Sequence, residues 1–155
     1  MLLSYLNNKM ISLEKNSYTK DEILEKMVNI INEKYTGKKD INEIYKKIIA
    51  RENVGTTGIG KGIAVPHARC ESINEIIMAI MILKNPVEYS TPDGENVNII
   101  IMLVAPKEKN NEYLNLLASI SDIFRNEELR KNIINCNSED EILELLIRYS
   151  SKEII

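Results

Sequence analysis

The sequence predicts an α/β sandwich, in which one mixed β-sheet is flanked by helices. Two short apolar runs, residues 76–83 and 97–104, are typical of strands that are buried on both faces. Amphipathic segments with capping residues lie before and after these runs and indicate helices. The 155 residues have the length of one domain, and no linker-like tract divides them. We therefore expect a single domain over residues 1–155.

The first half of the chain is predicted to hold one strand and two helices. Residues 2–13 form a short strand and a connection. The two helices that follow end near Tyr35 and Arg51, where their apolar periodicity ends. Each helix begins at a residue pair of the capping-box type: Thr19 with Glu22, and Asp40 with Glu43. A short strand over residues 63–65 comes before the two apolar runs.

The second half is predicted to hold the two buried strands and three helices. The dipeptide Asn85-Pro86 ends the first strand and Pro106 ends the second, because proline interrupts strand pairing. Three helices then follow, each with its capping residue: one to about Phe124 begun by Asn110 or Asn111, one over residues 127–134 begun by Asn126, and one to about Ser150 begun by Ser138 with Glu141.

Composition excludes several classes of function. Twenty Lys and Arg against 23 Asp and Glu give a net charge of −3, which argues against a nucleic-acid or anionic-membrane binder. No apolar run reaches the roughly 18–20 residues that span a bilayer, and the N-terminus resembles no signal peptide. Cys70 and Cys136 lack metal-ligand spacing. We expect two free thiols, with Cys70 buried, and a cytoplasmic location.

Four of the six glycines fall within residues 55–62, followed by Pro66. This segment is close to the nucleotide-binding P-loop pattern, but Gly62 stands where that pattern needs a hydroxyl side chain. Pro66 also breaks the helix that should begin here, and the third glycine of the dinucleotide pattern is replaced by Ile63. A nucleotide-binding enzyme is therefore a weak alternative. A second alternative is that the glycines have only a structural role, in a crowded surface turn.

His67, which directly follows Pro66, is the only histidine in the chain. Its reference pKa near 6.5 leaves much of the imidazole neutral and nucleophilic, and its N-phosphoryl product can pass the group on. Phosphoryl transfer also needs positioned donors and positive charge, which the Arg51 guanidinium can supply. The candidate loop donors lie just before the histidine: Thr56, Thr57, Gly58, Gly60 and Gly62. This chemistry needs no metal or cofactor, and no metal site is evident in the sequence.

Three segments together resemble a known family. They are the run from Arg51-Glu52 through residues 55–69, the run 91–98 that leads into the second apolar strand, and residues 111–117. These segments are similar to the fructose/mannitol-type enzyme IIA domain of the bacterial sugar phosphotransferase system. The resemblance covers about residues 2–150 and implies the same mixed sheet flanked by helices.

The resemblance also implies a mechanism. The family's active histidine matches His67, and its supporting arginine matches Arg51. That histidine takes a phosphoryl group from the phosphohistidine of the small carrier HPr and passes it to a cysteine of a IIB domain. The IIB domain then phosphorylates sugar during uptake through a membrane IIC domain. The identity of the sugar stays open, since a IIA domain never touches it.

Tyr113 departs from the family pattern, because it stands where the family usually carries a second histidine. A tyrosine can donate a hydrogen bond but cannot become cationic, so it either supports the phosphoryl group weakly or only packs. This departure keeps open a regulatory protein, like the nitrogen-type IIA proteins, that signals through phosphorylation. Lys61 and Arg69 flank the loop, and we expect Arg69 to lie on a solvated face.

Overall fold

Six strands form one mixed β-sheet in the computed structural model, which describes residues 2–152. In chain order the strands are β1 (Ile11–Glu14), β2 (Gly58–Gly60), β3 (Ile63–Ala64), β4 (His67–Arg69), β5 (Ile77–Val87) and β6 (Val97–Ala105). The spatial order is β1-β5-β6-β3-β2, and β4 pairs with β6 beyond the end of β3. β5 and β6 are antiparallel, as are β2 and β3, whereas β1 runs parallel to β5, and β3 and β4 run parallel to β6. The predicted mixed sheet is confirmed.

Two helical layers cover the sheet. The α-helices are α1 (Lys20–Lys34), α2 (Ile41–Val54), α3 (Asn110–Phe124), α4 (Glu127–Ile133) and α5 (Glu139–Lys152). Helices α1 and α2 pack their buried residues on one face of the sheet, and α3, α4 and α5 pack theirs on the other. The result is the three-layer sandwich that the sequence predicted. None of the helices within residues 2–152 is both long and apolar enough to cross a membrane.

The central strand β6 shows why the sandwich needs two helical layers. Ile99 and Ile101 belong to the core under α3, α4 and α5, whereas Ile100 and Met102 belong to the core under α1 and α2. Successive side chains of a strand point to opposite faces, so a continuous apolar run must be covered on both sides. All four residues are at most 1% exposed.

Most of the predicted helix starts are confirmed. Thr19 and Glu22 form the complete capping box of α1, and Asn126 accepts a hydrogen bond from the amide of Leu129 at the start of α4. Helix α3 ends at Phe124 as predicted, but its predicted cap, Asn110 or Asn111, is wrong. A 3-10 turn over Lys107–Lys109 leads directly into that helix, so Asn110 already has helical dihedrals and no side chain caps it.

The strand boundaries differ from the prediction where tertiary pairing decides them. β5 does not end at Asn85-Pro86 but continues to Val87, which pairs with Val97. The register shifts between Ile82 and Val87, and such an irregularity accommodates a proline whose missing amide would otherwise interrupt the ladder.

Short elements at both ends of the glycine-rich region and at the N-terminus were also missed. β2 and β4 flank the predicted strand, which the structure shortens to β3. At the N-terminus, two 3-10 helices, Leu2–Tyr5 and Asn8–Met10, precede β1. The predicted N-terminal strand is therefore present, but only after two helical turns.

The Asn126→Ala variant should lower the free energy of unfolding by about 1 kcal/mol, because it removes the side-chain acceptor at the start of α4. Asn111→Ala is the matched control, since Asn111 is exposed in the first turn of α3 and caps nothing. It should change stability by less than about 0.5 kcal/mol. Urea unfolding measures both values, and equal losses would contradict the assignment of the caps.

Candidate functional site

A cleft of about 510 Å³ lies at the open edge of β4. Among the described strands, β4 pairs with β6 alone, so its other edge is free. One face of α2 forms one wall of the cleft, β4 forms its floor, and the first turns of α3 form the other wall. Its lining residues are Lys47, Ala50, Arg51 and Val54 of α2, His67, Ala68 and Arg69 of β4, and Tyr113, Leu114 and Leu117 of α3.

The charge of this cleft is strongly one-sided. Among the described residues that line it, Lys47, Arg51 and Arg69 are cationic and none carries a carboxylate. The chain as a whole has a net charge of −3, so the positive charge is a local feature. Such a cleft attracts an anion in preference to a cation.

His67 is the first residue of β4 and is half-buried in the cleft. Its Nδ1 lies 2.6 Å from the carbonyl oxygen of Val65. A carbonyl oxygen can only accept a hydrogen bond, so Nδ1 carries the proton and donates. The lone pair of the neutral ring is therefore on Nε2, on the side of the ring away from Val65. This tautomer makes Nε2 the nucleophilic atom.

Several groups act on the protonation of His67. Burial lowers its pKa most, and the bond to Val65 acts in the opposite direction. The positive charge of Arg51 lowers the pKa further, Glu52 raises it, and Arg69 makes the smallest of these contributions, which again lowers it. The net result is a pKa below the ordinary histidine value. The imidazole is accordingly neutral at pH 7, which is the form that attacks an electrophile.

The structure places Arg51 in the last turn of α2, in the same cleft as His67. Its Nη1 donates to the carbonyl oxygen of Gly55 at 2.8 Å, which satisfies an acceptor just beyond the end of the helix. The bond anchors one side of the guanidinium and leaves its other N–H groups available to the cleft. The two residues that the sequence singled out first, Arg51 and His67, are thus brought together.

Tyr113 lies in the first turn of α3 and is 3% exposed. Its ring centroid is 6.1 Å from that of His67, with the two planes tilted by 54°. Burial raises the pKa of Tyr113 to about 12, against the opposing charges of Arg69 and Arg51. The phenol therefore stays neutral, and within residues 2–152 its hydroxyl makes no hydrogen bond. The structure shows ring packing beside His67 and leaves the hydroxyl free to donate.

Arg69 is the residue whose place the sequence did not indicate. We expected it on a solvated face, and it is exposed, but its guanidinium carbon lies 5.2 Å from the centroid of the Tyr113 ring and it lines the cleft. The signal that could have found it is the His-x-Arg spacing within one strand. Residues two apart on a strand share one face, so Arg69 lies on the same side of β4 as His67.

The glycine loop is placed differently from the expectation. None of Thr56, Thr57, Gly58, Gly60 and Gly62 lines the cleft. Gly60 and Gly62 have φ values of 94° and 80° and form the turn between β2 and β3. The amide of Gly58 donates to Thr56 Oγ1, and the amide of Lys61 donates to the Asp93 carboxylate. These two amides are therefore bonded to the side chains of Thr56 and Asp93.

A sequence model of the family described as "Phosphoenolpyruvate-dependent sugar phosphotransferase system, EIIA 2" matches residues 4–149. The chain belongs to this EIIA family. The family resemblance drawn from the sequence is therefore confirmed.

Curated relatives of this EIIA chain fall into two groups. The PTS system fructose-specific EIIABC component of Bacillus subtilis (strain 168) is 32% identical over 142 residues, which cover 91% of this chain and 22% of that protein. The chain thus spans about a fifth of that relative's length. The nitrogen regulatory protein of Pseudomonas aeruginosa is 27% identical over 129 residues, which cover 83% of each protein.

Solved structures share the EIIA fold. The nitrogen regulatory protein IIA-Ntr of Neisseria meningitidis superposes with a TM-score of 0.85 at 24% identity, over 94% of this chain and 98% of its own. IIA mannitol of Escherichia coli superposes with a TM-score of 0.76 at 22% identity, over 91% of this chain and 98% of its own. At these identities the likeness establishes the α/β fold alone.

A buried carboxylate holds the EIIA loop in place and reaches His67 indirectly. Glu52, 8% exposed, accepts from the amide of Thr57 at 3.0 Å and from its hydroxyl, and it pairs with Lys20 at 2.9 Å. The carbonyl of Thr57 accepts from the amide of Val65 at 3.0 Å. Val65 in turn accepts from His67, so the network fixes the backbone that orients the ring.

The two cysteines of the EIIA chain are both free, as predicted, and the predicted burial of Cys70 is confirmed. Cys136 is buried as well. Burial raises the pKa of Cys70 to about 12, which keeps the thiol protonated and unreactive. Cys136 is shifted in the same direction by burial of its thiol. Within residues 2–152, no cluster of three or more His, Cys, Asp and Glu side chains could hold a metal ion.

The titration of His67 should have its midpoint below the ordinary value of about 6.5, because burial and two nearby guanidinium groups disfavour the imidazolium. The chain has one histidine, so a proton NMR titration shows a single imidazole and needs no assignment. The same protein in concentrated urea supplies the reference. A folded-state midpoint at or above the unfolded value would contradict the prediction.

The Glu52→Gln variant should lose about 1–3 kcal/mol of stability at pH 7, since it leaves Lys20 without its ion pair. Burial alone would raise the pKa of Glu52, but its bonds from Thr57, Lys20 and Tyr89 outweigh burial and lower it. A lowered carboxyl pKa stabilises the folded protein above the unfolded pKa, and this contribution is lost as pH falls through the folded value.

The difference between wild type and Glu52→Gln should therefore shrink in acid, which thermal unfolding at pH 7 and pH 3 measures. Glu25→Gln is the control, because Glu25 is exposed on α1 and its loss should cost less than about 0.5 kcal/mol. A Glu52→Gln difference that stays constant with pH would contradict the charged role of Glu52.

Proposed function

We propose that this EIIA domain is a phosphocarrier that accepts a phosphoryl group on Nε2 of His67 from phospho-HPr. It then passes the group to a cysteine of a IIB domain for sugar uptake. The observation that carries this proposal is the state of His67. Its imidazole is neutral, its lone pair is on Nε2, and it lies in a cleft lined by three cations.

The transfer step uses the His67 tautomer directly. The Nε2 lone pair forms the new N–P bond, and the N–P bond to the donor imidazole breaks with its electron pair left on the donor nitrogen. The donor leaves as a neutral imidazole because its other nitrogen keeps a proton. His67 likewise keeps its Nδ1 proton, which continues to donate to Val65 and stabilises the cationic ring of the phosphorylated form.

The positive charge of the cleft serves the group that is transferred. The transition state of phosphoryl transfer is loose and spreads charge over three equatorial oxygens, so donors that are already in place lower its energy. Arg51 and Lys47 approach from α2, on consecutive turns of one helical face. Arg51 can donate to the phosphoryl oxygens through the N–H groups that Gly55 does not use.

The rim of the cleft supports a protein donor and a protein acceptor. Val54 is 85% exposed and Leu114 is 49% exposed, and they lie on opposite walls beside His67. Small apolar contacts around a charged centre are typical of transient protein interfaces. A complex of Escherichia coli enzyme IIAMtl with phosphorylated enzyme IIBMtl, of the same fold at a TM-score of 0.76 and 21% identity, makes a IIB acceptor a reasonable partner.

A regulatory role is the second candidate. Nitrogen regulatory proteins match this chain over most of their own length, 83% for the protein of Pseudomonas aeruginosa, whereas the fructose-specific relative is 22% covered. Tyr113, next to His67, also supplies no charge for fast transfer. In this reading, phosphorylation of His67 changes binding to a regulator and carries no transport flux.

Incubation with labelled phospho-HPr should place one phosphoryl group on the wild-type protein. The adduct should have the lability of a phosphoramidate, which is hydrolysed in acid and survives alkali. The His67→Gln variant, which keeps the size and polarity of the side chain, should remain unlabelled. Label on this folded variant, or none on wild type, would overturn the proposal.

A IIB domain added to the labelled protein distinguishes the two roles. Movement of the label to the IIB cysteine supports the transport role. Retention of the label with every IIB domain tested from the same cell, together with altered binding to another protein, supports the regulatory role.

A further inference from the structure

Arg69 and His67 share one face of β4. They pair with Ala105 and Leu103 of β6, both of which belong to the core under α3, α4 and α5. Residues two apart on a strand are separated by about 6.6 Å, which an arginine side chain easily spans. Tyr113, from the first turn of α3, lies against both residues. Sheet register and helix placement together build this arrangement.

The Tyr113 ring restrains an arginine that is otherwise free. The Arg69 guanidinium carbon is 5.2 Å from the ring centroid, within the range of a cation–π contact. Within residues 2–152, Arg69 makes no hydrogen bond or ion pair. Contact with the ring leaves the N–H groups on the guanidinium edge of Arg69 without acceptors. One N–H group of Arg51, by contrast, already donates to the carbonyl oxygen of Gly55. Arg69 therefore has its full donor capacity available.

The position of Arg69 completes the surroundings of His67. Arg51 and Lys47 belong to the wall formed by α2, and Arg69 lies with Tyr113 on the α3 side of the strand. A phosphoryl group on Nε2 has three oxygens, and donors on one side cannot reach all of them. Tyr113 cannot supply the second charge because it stays neutral, but its ring can hold the residue that does.

We propose that Arg69, held against the ring of Tyr113, is a second phosphoryl-binding cation that acts on the group carried by His67, opposite Arg51. Tyr113 is then a positioning residue, which acts through its ring. This inference rests on the proposed function, since it needs a phosphoryl group on His67. It assigns to the aromatic residue next to the histidine a role that its hydroxyl alone would not provide.

The test measures the rate at which His67 is phosphorylated by two donors, phospho-HPr and the small molecule phosphoramidate. The small donor removes any contribution of protein docking. Arg69→Gln should slow both reactions about tenfold or more, the typical cost of losing a charge-assisted contact in a transition state. Arg125→Gln, the same substitution at an exposed position at the end of α3, should leave both rates unchanged.

Variants of Tyr113 distinguish the contribution of its ring to the rate from that of its hydroxyl. Tyr113→Phe keeps the ring and should retain most of the wild-type rate, whereas Tyr113→Leu should lose about as much as Arg69→Gln. The double variant Arg69→Gln/Tyr113→Leu should lose no more than either single variant, because both changes remove one contact. Arg69→Lys, which keeps a charge, should restore part of the rate.

The NMR titration of His67 supplies a second readout, made on an Arg69→Gln protein whose urea unfolding shows that it is folded, because unfolding alone would also raise the midpoint. Arg69→Gln should raise the midpoint, because a nearby positive charge is removed.

Each outcome has a distinct meaning. If wild type is labelled by neither donor, the proposed function fails. If wild type is labelled and Arg69→Gln matches it with phosphoramidate, the proposal for Arg69 alone is overturned. Loss confined to phospho-HPr would make Arg69 a docking residue and would also overturn it. A Tyr113→Phe variant as slow as Tyr113→Leu would overturn the role of the ring.

Discussion

The hydrogen bond from Nδ1 of His67 to the carbonyl of Val65 is the interaction on which the site depends. The bond closes around Pro66, whose ring restricts the backbone between the two partners. This bond determines which ring nitrogen keeps the lone pair, and it restrains the rotation of the imidazole about its side-chain bonds. Cations placed around a reacting nitrogen are useful only if the same nitrogen is always presented, and this bond secures that condition.

The cleft uses one set of charges in two ways. Burial and the charges of Arg51 and Arg69 keep His67 neutral and therefore nucleophilic. In the proposed transfer, the same charges then attract the anionic group on the ring. The arrangement consequently favours both the reactive form and its product without a change of conformation. The chain is acidic as a whole, and this positive cluster is assembled from two separate elements, α2 and β4.

Features with a local cause could be predicted from the sequence, and features that depend on distant neighbours could not. The capping box of Thr19 and the buried run of β6 carry their own signals, and both are confirmed. Pro86 was misread because pairing with β6 carries β5 past it. His67 was indicated because the single histidine of the chain follows the glycine-rich loop and Pro66, with Arg51 just upstream. Arg69 was missed because its place depends on Tyr113, which belongs to another layer.

The glycine-rich segment shows how a motif can serve a site without touching it. Gly60 and Gly62 have positive φ values, which let the chain reverse between β2 and β3. The reversal brings the carbonyl of Thr57 to the amide of Val65, and the Glu52 carboxylate accepts a hydrogen bond from the amide of Thr57. The glycines therefore act on His67 through the backbone that positions it, whereas in a P-loop the backbone amides bind the phosphate directly. Similar spacing of glycines in the two cases reflects a shared need for tight turns.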